Sequence, residues 1–570
     1  MKQAISILYP NYENVIYKDL SDEACHDLAL DVLCKKLSDK EIEQTMILKV
    51  ISKITSDPRV AIFRTEVFDD IFRLPDLREK MMELLEEIQF LKDFGSFKRD
   101  YDKKAGIWDL LHRLEEINDY ILCVEKIRNC LENADIHSEG LKNLKTYVDS
   151  IYFDSGFDQM KKDIAALKAD TSNIKSITLG INLDERFETT GVGIISVNNK
   201  AFKNSGIVRN YAKAFGTKDG ISEGTDWNGD MHYQAVEEGE DISVAKLTKF
   251  GALMQAQKGG MNSLLAAKTV ISMPEKDGSQ DFSHYLSKTC DQMLSTTVKG
   301  LREVLSLYAT VSIKIMTELI PEFIYYIRFA EFIQEKIKEG YSFGKSHPVE
   351  KGEKGMEAKG FYNIKLILSD TDPKDIVVND LDFTNDRRLY ILTGANRGGK
   401  TTITQAVGQL FVLAQGGIYV AGDSFEYTPV DCIYTHFPAD EDKTLDLGRL
   451  GEECTRFKSL YTDATGDSLI LMNETFSTTS FEEGYYIAKD SVKALLKRGI
   501  RTIYNTHMHK LARDIDDINS STEYKAASLI VKVENNDRSF KVSVAAPEGM
   551  SYAKDIAMKY GVTYEMLTGE

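Results

Sequence analysis

One stretch limits the folds open to this chain more than any other: Leu389-Tyr390-Ile391-Leu392-Thr393-Gly394-Ala395-Asn396-Arg397-Gly398-Gly399-Lys400-Thr401-Thr402. An apolar run enters a glycine-rich turn, passes one Lys and two Thr, and opens a helical pattern. This is G-x-x-x-x-G-K-[ST] in the setting it needs, strand before and helix after. Gly394, Gly398 and Gly399 let the backbone wrap a phosphate with its N–H groups aimed inward. Ala395, Asn396, Arg397 and Thr402 complete the loop, and the helix offers its positive N-terminal end. Lys400 can reach the β- and γ-phosphates, and the Thr401 hydroxyl can hold Mg²⁺, so ATP and Mg²⁺ are the expected ligands. Chance alone gives the pattern in roughly 2% of chains this long. The competing reading is a glycine-rich turn beside a solvated Lys.

The chain has 570 residues, length for roughly three or four domains. Its net charge of −18 repels phosphate as a whole, so any nucleic-acid contact must be a local basic patch. Seven Cys without C-x-x-C or paired spacing read as reduced thiols, which predicts a cytoplasmic protein. Residues 1–17 lack the pattern of a signal peptide, and no uncharged apolar run reaches membrane-spanning length.

Residues 1–171 read as helix nearly throughout. Leu77, Met81, Leu84, Leu85, Ile88 and Leu91 fall at three- and four-residue steps after Asp76, a candidate N-cap. Ile107, Leu110, Leu111, Leu114, Ile117, Ile121, Val124 and Ile127 form a second such run. His26, His112 and His137 are isolated, as surface or core histidines are. Residues 172–284 change texture. Ile174–Leu183 alternates as a half-buried strand does, and Gly191–Asn199 reads as a second strand. Between Ile242 and Pro274 stand Lys246, Lys249, Lys258 and Lys268 with no Asp or Glu. In a chain this acidic, that is the best candidate for a phosphate-backbone contact, although four Lys in such a span is an ordinary density. Helical spacing returns over 285–345, where Pro321 is expected to kink or divide the run and Phe323–Ile327 to be buried. Residues 346–360, rich in Lys, Gly and Glu, read as a linker, and 361–570 as the ATPase segment.

Beyond the loop, Ile403–Leu413 is an apolar helix ending at Gly416-Gly417. Ser468–Met472 is a buried strand ending in Asn473-Glu474, where P-loop ATPases put their second acidic motif. An Asp there supports Mg²⁺, and a Glu beside it can polarise the attacking water. Here Asn473 replaces the Asp, and Glu474 takes the base role. The alternative is a strand-end Glu that faces water. Arg501–Asn505 is another strand, and His507 after it can sense the γ-phosphate. His507 and His509 lack the carboxylate or thiol company that a metal site needs.

These residues carry a resemblance. Thr393–Thr402 resembles the nucleotide loop of the MutS family of DNA mismatch-repair ATPases, with Ala395, Arg397 and Thr401 as mild departures. The likeness continues through Leu471-Met472-Asn473-Glu474, Thr479-Ser480, Thr506-His507 and Gly549-Met550-Ser551-Tyr552-Ala553. Ile174–Val197 is loosely similar to the entry into that family's clamp domain. The resemblance implies a multidomain architecture: an α-helical lever and core, an inserted mixed-β clamp-like domain, then an ABC-type α/β P-loop ATPase working as a homodimer. Double-stranded DNA, recognised by structure rather than sequence, is the implied partner, with a downstream repair protein possible in principle. The mismatch-reading and connector domains of the family have no counterpart in these residues. Asn473 and, near the partner-serving motif, Gly448 depart from its pattern. The leading expectation is ATP-gated binding of mismatched, branched or distorted DNA. The alternatives are a dimeric nucleotide-gated scaffold with little turnover that recruits a protein partner, and an ABC-type ATPase not acting on DNA.

Overall fold

The computed structural model describes residues 5–95, 107–171, 176–183, 185–186, 189–198, 295–308, 311, 318–352, 355–394, 398–438, 448–534, 537–546, 558 and 560–568. They divide into two compact units. One comprises Met1–Glu86, Ile127–Tyr147 and Glu318–Glu570, the other Glu87–Lys126 and Val148–Thr317.

The first unit is built on a six-stranded sheet, whose strands in chain order are β1 (Arg387–Thr393), β2 (Ile433–His436), β3 (Leu469–Asn473), β4 (Arg501–Asn505), β5 (Lys525–Glu534) and β6 (Asp537–Val544). Across the sheet they run β2-β3-β4-β1-β5-β6, parallel except for the last pair. Inner strands β1 and β3 contain continuous apolar runs, as strands covered on both faces do: Leu389–Leu392 and Leu469–Met472 are fully buried. The covering helices include α1 (Lys400–Gln415), α2 (Gly448–Asp463) and α3 (Phe481–Arg498). The last begins at the N-cap Ser480, whose hydroxyl accepts from the Glu483 amide, and ends at Gly499 in the left-handed region.

The far end of α1 is fixed by residues distant in sequence. Gly417 (φ +82°) follows the helix, and the Ile418 amide returns to the Leu413 carbonyl. The buried Arg64, from the helix Pro58–Arg73, donates from Nη1 to the Gln415 carbonyl at 2.9 Å and from Nε to the Leu8 carbonyl at 2.9 Å. A guanidinium at the negative end of a helix is favourable. Gln415 bonds the carbonyls of Thr55 and Val430, and Gln409 the carbonyl of Leu28. The helix Ile320–Lys338, with Pro321 in its first turn, buries Phe323–Ile327 as expected. Its Glu322 carboxyl accepts from the Ser6 hydroxyl and the amides of Ile7 and Leu8, yet burial holds it up at about 7.

Two expectations about boundaries are corrected. The span 346–360 is not a bare linker, since it holds the strand Ser346–Pro348 and most of Met356–Phe361. With Ser424–Tyr427 and Asn379–Phe383 these form a four-stranded sheet. The buried Met356, Ala358 and Phe361 supply the apolar face that its Lys and Gly content hides. The unit built on the six-stranded sheet also exceeds 361–570, because residues before Glu86 fold with it.

In the second unit, Leu110, Leu114, Ile117, Ile121 and Val124 of the helix Ile107–Glu132 are buried, as are Phe157, Met160 and Ile164 of Ser155–Thr171 and Val298, Leu301 and Leu305 of Ser295–Leu307. Arg113 closes this bundle onto the Tyr308 carbonyl, and the Tyr308 hydroxyl donates to Asp163 at 2.6 Å. Ser176–Leu183 and Thr189–Asn198 pair antiparallel, within two residues of the strands expected from their alternation. Among the described residues no helix is long and apolar enough to cross a membrane.

A Cβ placed on Gly417 would lie 2.5 Å from Arg64 Cβ and 2.6 Å from its carbonyl carbon, on a backbone already at positive φ. Gly417→Ala is therefore expected to lower the unfolding free energy in urea by about 2–4 kcal/mol. Gly300→Ala, in a helix where an added Cβ meets nothing within 4 Å, is expected to be neutral or to stabilise by up to ~1 kcal/mol.

Candidate nucleotide site

In a parallel sheet, ligands sit at the carboxyl ends of the strands. The register brings Leu392 of β1 beside Asn505 of β4, Asn505 beside Asn473 of β3, and Met472 beside His436 of β2. Four strand ends thus converge on the loop that leaves β1. Gly394 (φ +148°) opens that loop and Gly399 (φ +83°) closes it as the N-cap of α1. Ala395, Asn396 and Arg397 lie outside the described residues, as do Lys246, Lys249, Lys258, Lys268 and the Gly549–Ala553 motif.

Lys400 is buried, and its Nζ donates to the Gly394 carbonyl at 3.1 Å, bridging the loop mouth. Burial lowers its pKa while Glu474 opposes that shift. A desolvated ammonium beneath a positive helix end is a cradle suited to phosphate oxygens. The residues present fit a nucleotide.

The second tier is neutral. The Thr401 hydroxyl donates to Asn473 Oδ1 at 3.1 Å. Asn505 Nδ2 donates to the same oxygen at 2.5 Å and to Thr401 Oγ1 at 3.3 Å. Asn505 is fully buried, and its Oδ1 has no hydrogen-bond partner among the described residues. For a divalent ion this donor set is a poor match, since Thr401 and Asn473 offer only neutral oxygens that are already engaged. No group of three or more His, Cys, Asp or Glu suited to a metal is found among the described residues.

Glu474 and His507 meet: Nε2 lies 2.7 Å from Glu474 Oε1. Glu474 sits at φ +52° and Phe476 at φ +62°, so the chain leaving β3 is strained at two non-glycine positions. The strain is held by the Glu474 amide on the Asn505 carbonyl at 2.8 Å and by the Tyr504 hydroxyl on the Thr475 carbonyl at 2.7 Å. Beyond this turn the Glu474 carboxylate lies near enough to Lys400 to oppose the lowering of its pKa.

Three contributors have no sequence signal in the motif reading. Asn505 is the last residue of a buried strand, and only the register shows that it joins Thr401 to Asn473. Phe540 (φ +55°) brings its ring so close to the loop that a Cβ on Gly399 would meet it at 3.2 Å. His436 is buried, with Nδ1 3.1 Å from Thr475 Oγ1 and Nε2 3.2 Å from the Glu453 carbonyl. A carbonyl only accepts, which assigns the proton to Nε2. Burial first, and Arg456 second, push its pKa down to about 4.

Comparison with known proteins was informative for two segments. Residues 390–567 match the family model described as MutS domain V, and residues 56–203 that described as the MutS2 N-terminal domain. The chain is 30% identical over 208 residues to a DNA mismatch repair protein MutS of Prochlorococcus marinus, which covers 36% of this chain and 22% of that protein. It is 27% identical over 196 residues to an endonuclease MutS2 of Thermus thermophilus, covering 34% and 25%. A DNA mismatch repair protein MutS 2 of Halobacterium salinarum is 33% identical over 141 residues, covering 25% and 16%. The matched stretches thus span a quarter or less of the length of these relatives.

The His436 shift sets an acid limb. A His whose folded pKa is below its unfolded value adds stability that is complete above about 6.5 and lost as pH falls toward 4. Urea midpoints are expected to fall between pH 7 and pH 4.5 by more in the native sequence than in His436→Gln, the difference reaching the order of 2–3 kcal/mol.

Proposed function

We propose that this chain, which carries segments similar to MutS domain V and to the MutS2 N-terminal domain, is a DNA-binding ATPase of the MutS kind. On this reading it closes as a dimer on mismatched, branched or distorted DNA. The observation that carries the catalytic half is the Glu474–His507 pair standing over a loop whose Lys400 is buried. ATP held there supplies the phosphoryl group that water attacks. Lys400 and the amides of the loop hold the phosphate oxygens. His507 donates from Nε2 to Glu474 Oε1, which fixes the carboxylate and leaves it to take the proton of a water. The strained turn at 474–476 keeps that carboxylate from rotating back along β3. No step is assigned to a divalent ion, because the donors beside Thr401 do not suit one.

The DNA-binding half is supported by the two family matches and by the acid-free Lys246, Lys249, Lys258 and Lys268 stretch within 172–284. In a chain of net charge −18 that stretch is where a phosphate backbone is least repelled. Lys400 through Thr402, with Gly394 to Gly399, is the nucleotide loop. A second reading, a nucleotide-gated scaffold with little turnover, draws its support from the neutral Asn473–Asn505–Thr401 set.

Steady-state ATP hydrolysis at one fixed salt concentration, alone and with homoduplex, mismatched and four-way-junction DNA, separates the two. Stimulation by one DNA form supports the first reading, and a rate equal to that of Glu474→Gln under every condition supports the second. Lys400→Ala is expected to weaken nucleotide binding roughly 100-fold by removing charge-assisted bonds. Glu474→Gln is expected to bind normally, turn over roughly 10²–10⁴-fold more slowly, and accumulate as a dimer in saturating ATP by light scattering.

A further inference from the structure

Resting on the nucleotide-site reading, we infer that this site holds its nucleotide largely without help from a divalent ion. The geometry is specific. Asn473 Oδ1 accepts from both the Thr401 hydroxyl and Asn505 Nδ2. A carbonyl oxygen has two lone pairs, so both are occupied. The Thr401 hydroxyl spends its proton on Asn473, and its oxygen accepts from Asn505. Asn473 Oδ1, nearly buried beside the fully buried Asn505, cannot ligate a cation without breaking one of these bonds, and the half-buried Thr401 hydroxyl keeps only one neutral lone pair. The carboxylate that follows, Glu474, is engaged by His507 at 2.7 Å.

The charge balance points the same way. A carboxylate at position 473 would attract a divalent ion and repel a metal-free nucleotide. An amide does neither, and its NH₂ edge is a donor that suits a phosphate oxygen. Exchanging amide oxygen and nitrogen at either Asn changes which lone pairs are filled but leaves the set neutral, so the charge argument does not depend on how those atoms are assigned. Asn505 Oδ1, without a partner among the described residues, is one more neutral acceptor, and an amide oxygen is a weaker ligand for a divalent ion than a carboxylate. What remains to hold the nucleotide is Lys400, the glycine loop and the α1 terminus, and all three act on phosphate directly.

The test is equilibrium binding of a fluorescent mant-ATP to the full chain, in excess MgCl₂ and in EDTA. The two dissociation constants are expected to agree within roughly threefold. Asn473→Asp is expected to open the gap to about tenfold or more, chiefly by weakening binding in EDTA. Asn505→Asp, one residue along the same set, should act in the same direction and serves if the first variant folds poorly. A loss of about tenfold or more in EDTA for the native sequence would overturn the inference while leaving the nucleotide site standing. Absence of binding under both conditions would remove the nucleotide-site reading and this inference together.

Discussion

The helix that begins at Lys400 is gripped at its other end by a guanidinium with almost no access to water. Arg64 ties the Gln415 carbonyl to the Leu8 carbonyl, and a third bond runs to the Lys53 carbonyl at 3.3 Å. Its rings of contact are aromatic as well, with Tyr9 at 5.2 Å and Tyr17 at 5.6 Å. Burying such a charge is costly unless carbonyls and a counter-charge surround it. Glu322 lies near enough to feel it electrostatically. The arrangement explains why helices before residue 86 belong to the same compact unit as the loop: they hold the far end of the helix whose near end carries Lys400 and the glycine-rich loop.

That rigidity has a chemical counterpart at the strand ends. The loop mouth holds one desolvated ammonium and, beside it, three neutral side chains bonded to one another. The negative charge of the site is displaced one residue outward, to Glu474, on a backbone turn that most residues would avoid. On the proposed reading, phosphate binding and water activation fall to separate groups, Lys400 after β1 and Glu474 after β3, with the neutral set beside them. The left-handed turn is affordable because Tyr504 and Asn505, both buried, bond its backbone.

Much of this was legible in the chain. The spacing of the loop glycines, the end of α1 at Gly416-Gly417, the buried β3 run and the placement of Glu474 all follow from local patterns, since each element carries its own period and its own stop. The helix Ile107–Glu132 and the first strand pair of the middle segment were equally open to reading. What escaped depends on register. Asn505 and His436 are polar residues at the ends of their strands, and nothing local tells which neighbours they acquire. Sequence composition also misled at 346–360, where the exposed Lys351 and Lys359 concealed the buried Met356 and Ala358 between them. Arg64 carries no local signal either, because its partners are carbonyls, which sequence does not display.

The same long-range bonds have a consequence for how the protein is made. The Arg64–Gln415 contact joins residues 351 apart, and the bond between Ile7 and Glu322 spans 315. At a synthesis rate of roughly 5–20 residues per second, the first helices wait on the order of 15–70 s before the segments that complete their core leave the ribosome. During that interval the apolar faces of Val60, Val67 and Phe68 lack their final cover. An early half of the chain that must stay soluble yet unfinished is a natural client for chaperones, and the yield of active protein becomes a matter of translation speed as much as of final stability.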